Sequence, residues 1–446
     1  MVRLNKQQKT FLGLLLSIAP AVSFEQVISA AVNMIDTIMI GHSMGVSEVA
    51  AVGLANQVLF LFFLMVFGII SASTVFSGQY FGKGDINSIH KIMGIGFVGS
   101  SLTALLFFLP AFFVPHLVMS IYSSDPIVIE LGARFLRITS FSYFFVAITF
   151  TRSSAMRSIR QTRIPMITTS IALVLNVTLN YIVIFVLNKG LEGVAWTTLI
   201  SRGVELLFQQ YLIQKYKIPI NTKFKNYFNF NKEFVRKFIN IGGFIIINEV
   251  TWAIGNSAYN VAYGIIGTDA QGSMQMSMAM VNMFQVFGNA IAISTSIIVS
   301  NTLGSGKHEL AVHYAKYCIY FSVFVAVLMG ILLILFASPL ATFYNLDTLA
   351  HTYVVNILFV AGITMVLRTL NFTIIVGILR SGGDTKWCFY LEIITVYLLG
   401  LPLAFFSALI GLPIYIVYLM ISVEELVKLI ISGKRMRTNN WANTIV

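Results

Sequence analysis

Long apolar stretches recur along the whole chain and are separated by short polar segments. Each stretch has at least the roughly 20 residues that an α-helix needs to cross a bilayer, and several exceed about 25, which implies tilted or projecting helices. The pattern predicts an all-α integral membrane protein with twelve transmembrane helices. The predicted spans are residues 11–41, 49–80, 92–118, 131–150, 164–187, 191–213, 235–265, 270–302, 312–337, 352–379, 388–408 and 411–432.

The composition supports a membrane protein and excludes several other classes. Apolar residues make up 57% of the 446 residues and charged residues only 10%, whereas soluble proteins carry about 25% charged residues. A soluble enzyme, a nucleic-acid-binding protein and a disordered protein are therefore excluded. The two cysteines, Cys318 and Cys388, provide neither a disulfide framework nor a zinc motif, so the sequence predicts no cofactor.

The net charge of +12 arises from basic residues concentrated in alternate loops. The remaining loops, at residues 42–48, 121–130, 188–192, 266–269 and 343–351, contain Lys189 as their one basic residue. Because cytoplasmic loops carry the excess of Lys and Arg, the pattern predicts a multi-pass protein of the cell membrane. Both termini and the connection at residues 215–237 are then cytoplasmic.

Two basic motifs occur twice, at nearly equal intervals along the chain. Gly82-Lys-Gly-Asp returns as Gly304-Ser-Gly-Lys, and Arg157-Ser-x-x-x-Thr-Arg returns as Arg380-Ser-x-x-x-Thr-Lys. A duplicated unit with six helices keeps its orientation, so the two copies form bundles related by a pseudo-twofold axis along the membrane normal, which is a transporter plan. The predicted domains are an N-lobe at 1–214, a linker at 215–237 and a C-lobe at 238–446.

Three acidic residues fall deep within predicted spans, whereas most of the others are expected in loops or near helix ends. Glu25, Asp36 and Glu249 are functional candidates because an acid at membrane depth costs about 2.5–3.5 kcal/mol on insertion scales. Glu25 and Asp36 are eleven residues apart, which corresponds to about 20° more than three full helical turns, so they share one helix face. Asn33 also belongs to this face. Glu249, shifted back by the interval between the repeated arginines, falls on Gln26, and Asp36, shifted forward by the same interval, falls on Tyr259. The main carboxylates of the two halves are therefore predicted to differ in depth.

Further polar residues follow single helix faces. Asn176 and Asn180 form an i,i+4 pair, Thr198 lies in the next span, and methionines alternate with amides after residue 270. Methionine is adaptable and recurs on promiscuous binding surfaces, but interhelical hydrogen bonding and ordinary packing are the alternatives. The candidates for contact with substrate are Glu25, Asn33, Trp252, Asn256, Tyr259, Asn260, Gln275, Met276, Asn282 and Met283.

Several segments together resemble a known family. They are Asp36-Thr-Ile-Met-Ile-Gly-His, Ala50-Ala-Val-Gly-Leu-Ala, Gly78-Gln-Tyr-Phe-Gly-Lys-Gly-Asp and Leu379-Arg-Ser-Gly-Gly-Asp-Thr. Their order and spacing, with the twelve-helix layout, resemble the MATE (multidrug and toxic compound extrusion) transporters. The resemblance implies an antiporter that exports amphipathic, often cationic, drugs and toxic compounds by alternating access, in exchange for H⁺ or Na⁺. The substrate would bind in a cleft between the lobes.

The resemblance also implies which residues bind the coupling cation. Asp36 matches the N-lobe coupling aspartate, Asn176, Asn180 and Thr198 match the positions that complete its site, and Glu249 matches a C-lobe acid. Many members have a second aspartate where this chain has Asn180. A carboxylate without an acidic partner favours H⁺ slightly over Na⁺, and Na⁺ at Asp36 is the alternative because hard cations take oxygen ligands.

Other functions have less support from the sequence. A lipid-linked oligosaccharide flippase of the same superfamily would have a more cationic cavity, for which Arg202 and Arg368 are the candidates. A membrane enzyme would need a nucleophile–base pair or metal ligands at depth, and all six histidines lie near helix ends or in loops. The expected partners are small organic cations and membrane lipid, without nucleic acid, and the protein is expected to be a monomer.

Overall fold

The structure, a computed structural model, describes residues 6–43, 45–342 and 348–446. These residues form helices and turns without a β-strand among them. The helices are α1 (Lys6–Ser43), α2 (Val46–Lys83), α3 (Ile86–Phe113), α4 (Pro115–Ser120), α5 (Pro126–Thr139), α6 (Ser142–Ser158), α7 (Arg163–Tyr181), α8 (Gly190–Lys215), α9 (Phe224–Tyr227), α10 (Lys232–Ile266), α11 (Thr268–Gly304), α12 (His308–Thr342), α13 (Thr348–Phe372), α14 (Thr385–Thr395), α15 (Leu401–Leu409) and α16 (Ile414–Arg437). The π-helical turns Ile182–Val186, Thr373–Leu379 and Val396–Gly400 continue α7, α13 and α14.

The described helices confirm the predicted fold class. Nine helical segments are long and apolar enough to cross a membrane, and α5 with α6, bent by 49°, forms a tenth. Two further long helices carry charge near their centres, namely Arg202 and Glu205 in α8, and Glu424, Glu425 and Lys428 in α16. These two helices coincide with the predicted spans 191–213 and 411–432, so each of the twelve predicted spans corresponds to a helical segment in the described part of the chain.

The chain forms two compact units, each with its own apolar core. The first unit comprises Met1–Ser23, Gly78–Gly84 and Phe238–Val446, and the second comprises Phe24–Ser77 and Asp85–Lys237. In the first unit, Phe11 of α1 packs against the rings of Tyr314 and Tyr317 in α12. In the second unit, the Phe62 and Tyr143 rings stack with their centroids 4.9 Å apart. The division into lobes at 1–214 and 238–446 stays a prediction.

Helices α2 and α11 cross at the glycines of the repeated motif. A Cβ atom on Gly82 would lie 2.0 Å from a carbonyl oxygen of α11, and one on Gly304 would lie 1.9 Å from a carbonyl oxygen of α2. Each helix therefore admits the other backbone through a missing side chain. Gly84 and Gly306 then turn the chain with φ values of 82° and 74°, which glycine adopts without strain. The two motif copies thus have the same local structure.

The predicted linker packs closely against α3. A ring nitrogen of His90 lies 2.9 Å from the Pro219 carbonyl oxygen, and the Tyr227 hydroxyl donates to the Ile220 carbonyl at 2.8 Å. Gly94 allows the carbonyl oxygen of Tyr227 to approach α3. Burial raises the pKa of the Tyr227 hydroxyl, so it remains a neutral donor. Residues 218–227 are therefore an ordered part of the second unit.

The C-terminal segment is also anchored. Trp441 is fully buried, and its indole nitrogen donates to the chain at the end of α16. The Gln79 amide donates to the carbonyl oxygens of Ser381 and Asn443 at 2.8 and 3.1 Å, and its side-chain oxygen accepts from the Ile445 backbone at 2.7 Å. One glutamine of α2 therefore fixes the tail within the first unit.

Candidate cation and substrate sites

Asp36 lies in the C-terminal third of α1 and is partly exposed. The Asn180 side chain of α7 donates to the Asp36 carboxylate at 2.9 Å and to the Asn176 side-chain oxygen at 3.4 Å. An amide nitrogen has two hydrogens, so it can make both bonds. Among the described residues, no basic side chain forms an ion pair with Asp36. The predicted residues Asp36, Asn176 and Asn180 therefore form one network around an acid without a salt-bridge partner.

The hydroxyl that completes this network belongs to Thr197. The Thr197 hydroxyl donates to the Asn180 side-chain oxygen, which fixes the orientation of that amide. Both threonine hydroxyls lie within hydrogen-bond distance of the Val194 carbonyl of α8, at 2.8 Å for Thr197 and 3.0 Å for the predicted residue, Thr198, but only Thr197 also reaches Asn180. Neighbouring residues of a helix point about 100° apart, so only one of two adjacent threonines can face Asn180. The sequence could not show which of the two it would be.

The other two predicted acids form ion pairs. Arg157 of α6 approaches both Glu25 carboxylate oxygens at 3.2 and 3.3 Å, and Arg380 donates to Glu249 at 2.6 Å. The second pair is the more buried one, with side-chain exposures of 4% for Arg380 and 11% for Glu249. Glu25 and Glu249 thus differ from Asp36, because each has a cationic partner in this structure.

The two ion pairs correct the predicted register of the repeat. Arg157 and Arg380 are the repeated arginines, and each pairs with a glutamate of the first helix of its half. The interval from Glu25 to Glu249 is longer by one position than the interval between the arginines, which had matched Glu249 with Gln26. Glu249 is therefore the counterpart of Glu25 rather than of Gln26, because the spacing between the first helix and the arginine changes by one position. With this register Asp36 falls on Asn260, so the expectation that Asp36 and Glu249 differ in depth stays a prediction.

Most of the other acids that the structure describes lie in loops or near helix ends, as expected, but four that lie deep within helices were missed. Glu205 of α8 is 2% exposed, accepts from the Thr169 hydroxyl at 2.8 Å and pairs with Arg202 at 2.8 Å. This contact gives a partner to Arg202, which the sequence offered as a candidate for a cationic cavity. Glu392, Glu424 and Glu425 are further acids at membrane depth, in α14 and α16. The charged residues inside the last predicted span were the signal for the α16 acids.

The predicted substrate residues of α10 and α11 form a face of the first unit. The Gln275 amide donates to the Asn260 side chain at 3.0 Å, which links the two helices. Trp252 is 40% exposed and Met283 is 47% exposed. Asn256, Gln275 and Asn282 are exposed, while Asn260 and Met276 are partly buried. Tyr259 differs from the rest because its hydroxyl donates to Glu424. The Asn33 side chain lies outside the described part of the structure.

The donor set at Asp36 suits a hard monovalent cation but not a transition metal. Among the described residues, no group of three or more histidine, cysteine or acidic side chains could hold a metal ion. The carboxylate, the two amide oxygens and the Thr197 hydroxyl are the oxygen ligands that hard cations take. The Asn180 amide, however, turns its nitrogen toward Asp36 and its oxygen toward Thr197. Sodium binding would require this amide to rotate, whereas a proton on Asp36 would not.

Comparison with known proteins identifies the class first. The structure matches one described as "Outward-facing conformation of a multidrug resistance MATE family transporter of the MOP superfamily", with a TM-score of 0.87, 15% identity, and coverage of 98% of this chain and 97% of that chain. It also matches one described as "Crystal structure of MATE in complex with MaL6", with a TM-score of 0.87, 16% identity and 96% coverage of both chains. The fold is therefore that of a MATE transporter.

The sequence identifies the family. The MatE family profile matches residues 21–182 and 245–406, and the chain belongs to this family. The starts of the two matched ranges are separated by the same interval as Glu25 and Glu249. The "Uncharacterized transporter YisQ" of Bacillus subtilis (strain 168) is 26% identical over 419 residues, 91% of this chain and 90% of that protein. The "Probable multidrug resistance protein NorM" of Thermotoga maritima is 24% identical over 399 residues, 85% and 82% of the two chains.

Proposed function

We propose that the protein exports amphipathic, often cationic, compounds across the cell membrane in exchange for protons that bind Asp36. The observation that carries this proposal is the contrast among the three acids. Asp36 accepts a hydrogen bond from the neutral Asn180 amide and is attracted by Arg202 without an ion pair among the described contacts, whereas Glu25 and Glu249 are each paired with an arginine. Relatives named as multidrug resistance proteins support the substrate class.

Coupling requires that the cation bind the two states of the transporter with different affinity. A proton on Asp36 removes the charge that the Asn180 amide stabilises in this structure. The deprotonated acid therefore favours the arrangement in which Asn176, Asn180 and Thr197 are joined to it, and protonation releases this constraint. Protonation and deprotonation of Asp36 would in this way select between two arrangements of α1, α7 and α8.

We assign a supporting role to the two arginine–glutamate pairs. Arg157 with Glu25 and Arg380 with Glu249 are neutral as pairs, so neither carboxylate needs a further cation. Their equivalent positions in the repeat indicate a shared role in joining the first helix of each half to its partner helix. Glu249 is accordingly not required as a coupling acid, although the family resemblance suggested one.

The proposed substrate contacts lie on the exposed face of α10 and α11. Trp252 and Met283 provide apolar, polarizable surface, while Asn256, Gln275 and Asn282 provide hydrogen-bonding groups. Such mixed surfaces suit ligands of variable shape. The concentration of basic residues in alternate loops supports cytoplasmic termini, so export would run from the side of the termini to the opposite side.

Transport of a fluorescent cationic dye in proteoliposomes tests this function. A proton gradient without sodium should drive dye movement, and a sodium gradient at equal pH should not. Asp36→Asn should abolish gradient-driven movement, while Asp269→Asn, which changes an exposed aspartate of α11, should not. Dye movement driven by sodium alone would replace the proton with Na⁺ as the coupling ion. Absence of dye transport together with lipid-linked sugar translocation would favour the flippase.

A further inference from the structure

A second group of charged residues is buried in the first unit, far along the sequence from Asp36. The Lys428 ammonium of α16 contacts Glu424 at 2.7 Å and Glu392 of α14 at 3.1 Å. All three side chains are at most 7% exposed. We call Glu392, Glu424, Glu425, Lys428 and Arg368 the α16 cluster. Its centre lies near the middle of α16, about 15 Å along the helix from Ile414 at 1.5 Å per residue.

The remaining two members face each other less directly. The Glu425 carboxylate accepts from the Asn371 amide at 2.6 Å, and the Arg368 guanidinium lies 4.9 Å from the centroid of the Tyr418 ring. Arg368 attracts Glu425 without forming an ion pair with it among the described contacts. Tyr259 closes the other side of the cluster through its hydrogen bond to Glu424.

The charges of the α16 cluster do not balance. Three carboxylates face two cations, so one negative charge remains when every group is ionised. An unbalanced charge in a buried site costs several kcal/mol, and the cost is high at membrane depth. The other titratable groups that face the cluster are neutral side chains and one arginine. The neutral ones are the phenols of Tyr259, Tyr263, Tyr397 and Tyr418 and the thiol of Cys388. The arginine is Arg380, which interacts with Glu392 but whose charge is already matched by Glu249. The excess charge is therefore not cancelled by these neighbours.

An independent observation also points to a missing ligand. The Asn371 side chain is 3% exposed, and its oxygen has no hydrogen-bond partner among the described residues, although its nitrogen is bonded within the cluster. The Arg368 Nε atom lacks a partner as well. Buried polar atoms are satisfied in nearly all proteins. Glu425 and Tyr259 are partly exposed, which provides a route for water and small ions.

We infer that the α16 cluster holds one exchangeable monovalent cation, a proton or a sodium ion, with the Glu424 carboxylate as its principal ligand. Glu424 is the chosen position because it shares one ammonium with Glu392 and otherwise contacts only a neutral hydroxyl. Glu425, in contrast, accepts a hydrogen bond from Asn371 and is attracted by Arg368 in addition to Lys428. The site does not depend on coupling at Asp36.

Equilibrium measurements on the purified full-length Asp36→Asn protein test this site separately from the proposed function. Infrared difference spectra between acidic and alkaline pH detect the carbonyl band of a protonated carboxylic acid, and ²²Na⁺ binding detects sodium. One of the two signals should remain in Asp36→Asn. Glu424→Gln in that background should remove the part of the carbonyl band that this acid contributes, or lower the affinity for sodium at least about tenfold, which corresponds to about 1.4 kcal/mol. Glu309→Gln, at an exposed acid of the same unit, should leave either signal unchanged.

The outcomes are distinguishable. The carbonyl band without sodium binding identifies the proton, and sodium binding without the band identifies Na⁺. Absence of both signals in Asp36→Asn, or a signal that Glu424→Gln does not alter, overturns the proposal. If Glu424→Gln does not fold, Tyr259→Phe preserves every charge and removes only the hydroxyl that contacts Glu424. Because the lost hydroxyl donates to the charged carboxylate, the variant should bind a proton more tightly and move the midpoint of the carbonyl band to higher pH, or, if the cation is sodium, it should change the affinity for ²²Na⁺. An unchanged affinity would remove Glu424 as the ligand.

Discussion

Arg380 donates a hydrogen bond to Glu249 over 2.6 Å, in the position that Arg157 and Glu25 occupy in the other half of the repeat. Both pairs join the first helix of a half to the helix that carries the repeated arginine. The pairs place two of the three sequence-predicted acids in neutral contacts and leave Asp36 in a network of uncharged groups. This division of roles among three acids is the basis of the proposed mechanism.

Breaking the Arg380–Glu249 ion pair should destabilise the protein more than breaking the Arg157–Glu25 pair, which is less buried. Glu249→Gln leaves the Arg380 guanidinium buried without its counter-charge, which costs about 3–5 kcal/mol for a buried pair. Glu25→Gln should cost less because both side chains of that pair are more exposed, at 18% and 16%. Thermal unfolding of the purified variants in detergent measures the difference. Normal stability of Glu249→Gln with complete loss of dye export would instead make Glu249 a coupling acid.

The glycines at the crossing of α2 and α11 should not tolerate alanine. Gly82→Ala and Gly304→Ala each place a methyl group within about 2 Å of a carbonyl oxygen, so the helices must separate and lose packing of about 1–3 kcal/mol. Gly53→Ala and Gly272→Ala are matched controls in the same two helices, because nothing lies within 4 Å of a Cβ atom there. Both controls should be neutral or stabilising in thermal unfolding. Equal behaviour of all four variants would contradict the close crossing.

Much of the architecture could be predicted because it follows from local physical requirements. Spanning helices need long apolar segments, so the twelve crossings were visible in the sequence, as were Asp36 and its two asparagines, which lie one helical turn apart. Whether Thr197 or Thr198 faces Asn180 depends on how α8 is rotated about its axis. Two adjacent threonines in the sequence do not reveal that rotation. The α16 cluster was missed because its charged side chains come together only in three dimensions, from α13, α14 and α16, and contacts across helices are not encoded in the spacing of any one of them.

Substitutions of the two adjacent threonines of α8, Thr197 and Thr198, should have different effects in a transport assay. Thr197→Val removes the hydroxyl that fixes the Asn180 amide, so the Asp36 carboxylate loses support and holds its proton more tightly. The pH of half-maximal dye export should therefore move upward. Thr198→Val removes only a bond within α8 and should leave the pH profile in place. A shift caused by Thr198→Val alone would favour the role first assigned to that residue.

A second acid should change the ion that the Asp36 site accepts. Asn180→Asp places another carboxylate beside Asp36, at a position where the wild-type amide turns its nitrogen toward that acid. Two carboxylates repel each other unless a cation lies between them, and oxygen ligands with more charge bind hard cations more tightly. Sodium should then stimulate dye transport by Asn180→Asp at equal pH. Asn176→Asp, a substitution of the same type one turn away, measures how closely this gain depends on direct contact with Asp36.

The most direct test of the central claim is the number of protons that the purified protein releases when a cationic dye binds. If the dye and the proton stabilise different states of the transporter, the binding of each must lower the protein's affinity for the other, and by the same factor. Calorimetry in two buffers with different ionisation enthalpies counts these protons for the wild type and for Asp36→Asn. The account predicts that the variant releases one proton fewer per dye bound. An equal number from both proteins would show that Asp36 does not exchange its proton with substrate.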